Sequence, residues 1–421
     1  MTRTGPVTVV VAPDKFRGSL TATGAAAAIA AGLRDAAAER GVELILRLLP
    51  VADGGEGVVE AALGAGYAPR HRTVTGPTGE PVEATFAVDA TSGTAVVELA
   101  AASGLALVSG GGDSASALGA STCGTGQLIV AALDEGVSRI LLGVGGSATT
   151  DGGTGLAAVL GARFLDADSA ELTPGGAALT GLDRIDVSGL DSRLADVEVV
   201  VACDVDNPLT GIRGAARVYA PQKGATVDDV AVLDEGLRRL AAVLRQDVGA
   251  DVEVLAGAGA AGGVGGGAVA LLGARLVPGT DVVLDLVGFD AAVAGADLVV
   301  TGEGSLDAQS LAGKAPVGVA RRAAAHGVPV LFLAGRVDLD DQSRAVLADL
   351  GSVGVLGITD MEPDVSVAVR DAARLLRLLT YRVLVGRLLD LPACGAASNV
   401  ASSATRAGQP WLTPADDDPD L

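Results

Sequence analysis

Apolar, β-branched runs alternate along the chain with Ala- and Leu-rich stretches of helical length. Val7–Val11 predicts a strand, because five consecutive β-branched or hydroxylated residues pack well on a pleated surface. The next stretch, Ala22–Arg40, predicts a helix with Thr21 as its N-cap and Gly41 as the left-handed residue that ends it. Val42–Leu49 predicts a second strand. The alternation returns late in the chain: a strand at Asp297–Thr301, a helix at Val317–His326, strands at Val330–Leu333 and Val353–Ile358, and a helix at Val365–Leu379. Continuous apolar strands joined by helices specify an α/β fold with a parallel sheet covered on both faces.

The middle of the chain reads differently. Thr73–Val74, Val82–Val88 and Thr94–Glu98 are short and punctuated by Gly-Pro and Ser-Gly, as in a meander or hairpin edge. Further strands follow at Arg139–Val144 and Val197–Cys203. The simplest division is an α/β domain in two pieces, 1–68 and 290–386, flanking an inserted second α/β domain over 69–289. Two domains in linear series are the alternative. From about residue 387 the pattern fades, and 387–421, closing on Asp416, Asp417, Asp418 and Asp420, is expected to be a disordered acidic tail. Leu255–Ala274 carries no charge and is long enough to span a bilayer, but eight of its 20 residues are Gly, so it reads as a loop.

Composition narrows the function classes. The 421 residues are 49% hydrophobic and 19% charged, which supports a sizeable core and rules out wholesale disorder. Aromatics make up only 2%, so the core must be Ala, Val and Leu, and aromatic stacking on single-stranded nucleic acid is excluded. With 30 Lys+Arg against 51 Asp+Glu the net charge is −21, which opposes nucleic acid and anionic membranes as partners. A local basic pocket for a small anion stays open. Cys123, Cys203 and Cys394 have no zinc spacing, and Val7–Ala12 is too short for a signal peptide, so a soluble, cytoplasmic protein is expected.

The candidate chemistry is positional. Gly- or Asp-rich loops follow five of the predicted strands: 14–19 (DKFRGS), 53–57 (DGGEG), 145–153 (GGSATTDGG), 204–208 (DVDNP) and 302–307 (GEGSLD). Ligands of parallel sheets bind outside the carboxyl ends of strands, so these loops should converge on one cleft, expected between the domains. Gly-rich loops present N–H groups to anions, as the seven glycines within 257–267 would, and clustered carboxylates suit Mg²⁺. The scarce cations Lys15, Arg17, Lys223 and Lys314 stand in or beside these loops. Phosphate cradles, Mg²⁺ ligands and a carboxylate base are the parts of phosphoryl transfer. Gly143–Ala148 also matches a dinucleotide fingerprint, which keeps an NAD-dependent dehydrogenase open, and a non-catalytic acid-binding sensor is a further alternative. Gly313-Lys314 lacks the rest of a Walker A motif, and neither His71 nor His326 has the context of a hydrolytic triad.

Seven motifs occur in one order: 12–20 (APDKFRGSL), 51–57 (VADGGEG), 145–153 (GGSATTDGG), 203–209 (CDVDNPL), 220–225 (APQKGA), 257–263 (GAGAAGG), and 301–307 (TGEGSLD) leading to Gly313-Lys314. In these the chain closely resembles the bacterial glycerate kinase family over about residues 7–385. The resemblance implies ATP-dependent phosphorylation of D-glycerate, usually at the 2-hydroxyl, or of another small hydroxy acid on the same scaffold. It also implies a flavodoxin-like domain interrupted by a second α/β domain, with the active site in the cleft, and a homodimer is the assembly considered. Many members read Asp-Ser-Phe-Lys where this chain has Asp14-Lys15-Phe16-Arg17, so either Lys15 or Arg17 could contact substrate.

Roles follow as expectations. Arg17, with Lys15 and Ser19 beside it, would clamp the glycerate carboxylate. Gly145, Gly146, Ser147, Thr149, Gly259, Gly262 and Gly263 would cradle ATP phosphates, with Lys223 or Lys314 on the β/γ oxygens. Two of Asp53, Glu56, Asp151 and Asp204 would hold Mg²⁺. Asp204 or Asp307 would be the base that takes the hydroxyl proton.

Overall fold

The computed structural model describes residues 5–388 and 391, so the expected tail at 387–421 lies almost wholly outside the described residues. The chain forms two compact units, one of residues 1–52 with 283–421 and one of residues 53–282.

The first unit is built on five parallel strands. Their order across the sheet is Ser352–Gly357, Val330–Ala334, Leu298–Thr301, Val7–Val11, Leu44–Leu48. Numbered along this unit alone, that is the flavodoxin order 2-1-3-4-5. Val7, Val9, Val11, Leu298, Val300, Leu331 and Leu333 are fully buried and share a core with Ile29, Leu33 and Leu376 of two covering helices. One of them spans Ala22–Arg40 as expected: Thr21 Oγ1 accepts from Gly24 N at 3.0 Å, and Gly41, at φ 63°, closes the other end. The helix expected as Val365–Leu379 is two helices, Val365–Arg370 and Ala372–Leu384, parted at Asp371.

The second unit has a six-stranded sheet, ordered Arg275–Val277, Glu198–Ala202, Arg139–Gly143, Thr94–Glu98, Pro81–Asp89, Ala68–Thr75. The first four strands are parallel, and the last two add on antiparallel as the expected hairpin edge. The helix Val58–Gly64, read from sequence with the first domain, lies in this unit, where it packs on the strands Pro81–Asp89 and Thr94–Glu98.

The stretch read as a loop, Leu255–Ala274, is corrected in part: Ala260–Leu272 is a helix, entered through the left-handed residues Ala261, Gly262 and Gly263. It is apolar all round because it is buried, and its glycines admit neighbouring backbone. Among the described residues no helix is long and apolar enough to cross a membrane.

Candidate active site

In a sheet of order 2-1-3-4-5 the crevice for ligands opens at the carboxyl ends of strands 1 and 3. Here these are Val7–Val11 and Leu298–Thr301, which pair side by side. Their loops carry 14–17 and 302–307, and they are stitched together. Asp14 N donates to Gly302 O at 2.8 Å, and Thr301 Oγ1 donates to Ala12 O at 2.7 Å. Gly304 has no room for a side chain, since a Cβ there would sit 2.8 Å from Arg17 N. Lys15 is half-buried and Arg17 exposed on this loop. Ser19 closes the turn instead of pointing away from it: its Oγ donates to Phe16 O at 3.0 Å. Lys314 Nζ lies 3.6 Å from Glu303 Oε2 and 4.0 Å from Asp307 Oδ1. Asp307 Oδ1 also accepts from Gln309 N at 2.9 Å and Ser310 N at 3.2 Å, so this candidate base already serves a local turn.

The second unit holds a cavity of about 250 Å³ at the carboxyl ends of Arg139–Gly143 and Glu198–Ala202. Of the expected residues, Asp53, Gly145, Gly146, Ser147, Asp204 and Lys223 line it. Asp204 Oδ1 accepts from Gly279 N at 2.8 Å. Burial, with the charges of Asp53 and Asp281 adding to it, pushes the Asp204 carboxyl up to about 6. Lys223 is only 2% exposed, and its Nζ donates to Thr149 O at 2.6 Å. Burial pulls Lys223 down to about 8, against the attraction of Asp151. Ser147 Oγ accepts from Thr149 N at 3.0 Å and braces the turn that presents Thr149 O to the lysine.

Other expected residues stand elsewhere. Asp151, named as a Mg²⁺ ligand, is fully buried and does not line this cavity. Its carboxylate accepts from Thr122 N and Oγ1, both at 2.8 Å, and from Gly153 N at 3.1 Å and Gly155 N at 3.3 Å. That saturation fixes the 149–155 loop and leaves the carboxylate little for a cation. Glu56 packs its carboxylate over Gly146, behind the lining. Gly259, Gly262 and Gly263 also lie behind it, with Ala260 and Ala261 forming the wall. Gly262 sits at φ 69°, and a Cβ there would collide with Thr149 O, so its bareness serves backbone packing.

Sequence reasoning passed over Tyr219, Gln222 and Glu98. Tyr219 and Gln222 line the cavity, and Tyr219 Oη donates to Asn207 Oδ1 at 2.6 Å. Glu98 Oε1 accepts from Gly57 N at 2.7 Å and Val59 N at 2.9 Å, holding the start of the Val58–Gly64 helix. A carboxylate at the carboxyl end of a predicted strand was a signal that could have found it.

Among the described residues no group of three His, Cys, Asp or Glu side chains is arranged around a common metal position. Mg²⁺ asks for less, since one or two carboxylates suffice when substrate phosphates supply the other ligands. Asp53 and Asp204 face one cavity closely enough for the charge of one to raise the pKa of the other, and such a pair fits a cation.

Residues 9–387 match the model of the glycerate kinase family. The chain is 48% identical over 341 residues to a glycerate kinase of Bacillus subtilis strain 168, covering 80% of this chain and 86% of that one. It is 43% identical over 356 residues to the glycerate 2-kinase of Escherichia coli K12, covering 83% and 92%. A crystal structure from Salmonella typhimurium LT2, provisionally assigned as glycerate kinase 2, superposes with a TM-score of 0.76 at 39% identity, covering 91% of this chain and all of that one. With a match over nearly its whole length and the flavodoxin-order sheet already in place, the chain belongs to the glycerate kinase family.

Proposed function

We propose that the protein transfers the γ-phosphoryl group of ATP to the 2-hydroxyl of D-glycerate, giving 2-phosphoglycerate, in the cytoplasm. The observation that carries this reading is the cavity of the second unit, where Asp204, Asp53 and Lys223 stand beside the bare backbone of Gly145 and Gly146. The glycine backbone and the buried Lys223 ammonium suit phosphate oxygens. Asp204, with its pKa near 6, is ionised at neutral pH yet basic enough to take a proton as the hydroxyl attacks. Asp307 is less suited, being held by two backbone N–H groups and by Lys314. We assign Asp53 to hold Mg²⁺, with Asp204 as the neighbouring carboxylate. Bound there, the cation would offset charge on the phosphates. On the first unit, Arg17 and Lys15 supply the positive charge for the glycerate carboxylate. Arg17 can grip it with two parallel N–H bonds.

The dehydrogenase reading loses support from one feature. A dinucleotide fingerprint needs its glycine turn to open directly into a helix. After Gly143–Ala148 the chain runs on through the Asp151-braced loop, and the helix starts only at Thr154.

The test is ADP release by the purified protein with Mg·ATP and D-glycerate, against L-glycerate, glycolate and NAD⁺ reduction as controls. ADP formed only with D-glycerate supports the assignment. No acceptor-dependent ADP, or reduction of NAD⁺ instead, overturns it.

A further inference from the structure

One carboxylate of the first unit has no part in the roles assigned above. Glu303 stands two residues beyond the strand Leu298–Thr301, at the switch point of the sheet. It is 7% exposed, and its Oε1 is buried with no hydrogen-bond partner among the described residues. The carboxylate's other contacts are with Ser310 and, at 3.6 Å from Oε2, Lys314 Nζ. The main chain around it is anchored, with Gly335 N donating to Glu303 O and Arg336 N to Gly304 O, both at 3.0 Å. The side chain is therefore held where it is by its backbone, and not by a partner for Oε1.

A buried acceptor without a donor is costly, and native proteins keep few of them. Those that persist mark strain, a catalytic role, or a place where a water, ion or ligand supplies the missing group. Of the groups a hydroxy acid carries, its carboxylate is repelled by another carboxylate, so the group Glu303 can receive from such an acid is a hydroxyl. The same crevice carries the Arg17 loop, whose backbone touches Gly304, the residue after Glu303. An acid bound by Arg17 or Lys15 would bring its hydroxyls with it. D-glycerate has two: the 2-hydroxyl that accepts the phosphoryl group and the 3-hydroxyl that does not react.

We propose that Glu303 is a specificity-determining residue that accepts a hydrogen bond from the non-reacting hydroxyl of the acceptor acid. The proposal rests on glycerate being the acceptor. It gives a reason for Glu303 to be buried and half-satisfied while Asp307, four residues on, is spent on its own turn. Burial, reinforced by Asp307 and opposed by Ser310 and Lys314, holds its carboxyl above the usual range.

D-lactate tests this directly, because it is D-glycerate with the 3-hydroxyl replaced by hydrogen. The wild-type chain is first assayed for D-glycerate turnover, and its absence overturns both the function and this role. With turnover in hand, KM for D-glycerate and the inhibition constant of D-lactate are measured for wild type, Glu303→Ala and Glu303→Gln, with melting temperatures as a check on folding. Loss of a hydrogen bond to a charged group should raise the D-glycerate KM of Glu303→Ala by about 10–100-fold. D-lactate inhibition should change by less than about twofold, and Glu303→Gln, which keeps an acceptor oxygen, should fall between. If both acids weaken equally, Glu303 only orders the loop. If kcat collapses with KM unchanged, it acts on the reacting hydroxyl. If neither acid is affected, it does not touch the substrate. Each of these three results overturns the proposal while leaving the kinase assignment standing.

Discussion

Lys223→Met separates function from stability at the second unit's cavity. The ammonium is fully buried, and its pKa falls from 10.5 to about 8. At 1.36 kcal/mol per unit, that shift of about 2.5 units means the folded state carries a penalty of about 3 kcal/mol for keeping the charge. The sign follows from proton counting. Below pH 8 the lysine is protonated in both folded and unfolded chains, so the whole penalty is present. Between about 8 and 10.5 the unfolded chain binds more protons, so stability rises with pH and the penalty fades. Methionine fills a similar volume without a charge. It forfeits the bond to Thr149 O, about 1 kcal/mol, and some attraction to Asp151, whose own four hydrogen bonds remain. At pH 7 the variant should therefore melt at the wild-type temperature or somewhat above, while kcat/KM for ATP drops by about 10–100-fold for the lost charged contact to phosphate. Scanning calorimetry of the ligand-free protein at pH 7 and pH 9.5, beside steady-state kinetics, checks both. The wild type should gain on the variant at the higher pH. A variant that melts well below wild type at both pH values, with unchanged ATP kinetics, would show that Lys223 is a structural residue that does not touch ATP.

Three further outcomes can be checked singly. Asp204→Asn should lower kcat about 10²–10⁴-fold with the fold intact, and near-normal turnover would remove Asp204 as the base. Arg17→Ala should raise KM for D-glycerate by an order of magnitude or more (about 2 kcal/mol of charged hydrogen bonding) and leave KM for ATP alone; an unmoved glycerate KM would take Arg17 out of that role. Gly262→Ala puts a Cβ into Thr149 O at a left-handed residue, so it should destabilise by more than about 1 kcal/mol in thermal unfolding, whereas a wild-type melting temperature would show that the 149–152 loop can shift to admit it.

Local rules made much of the fold legible. The helix Ala22–Arg40 was readable to the residue because Thr21 and Gly41 are strong caps, and Val7–Val11 because nothing else suits five such residues in a row. The buried helix within Leu255–Ala274 was not, since glycine opposes a helix by propensity and only tertiary packing reveals that its bareness is needed. The site followed the same division. That acidic glycine loops follow strands is a property of order along the chain. Which carboxylate has its lone pairs already taken is a property of space. Asp151 and Asp307 are written in the sequence much as Asp204 and Glu303 are, yet the first pair is occupied by backbone N–H groups. Of the second pair, Asp204 is raised chiefly by burial, with Asp53 adding to it against the bond from Gly279 N, and Glu303 is left with an unpaired oxygen. No spacing rule distinguishes them.

Whether the 2-hydroxyl is the acceptor is read from where the new phosphate stands. Purified protein is given Mg·ATP and D-glycerate, and the product is passed to enolase without a mutase. Immediate formation of phosphoenolpyruvate, in step with ADP, is the result expected of 2-phosphoglycerate. ADP release that yields phosphoenolpyruvate only after phosphoglycerate mutase is added would place the phosphate on the 3-hydroxyl and overturn the 2-kinase assignment.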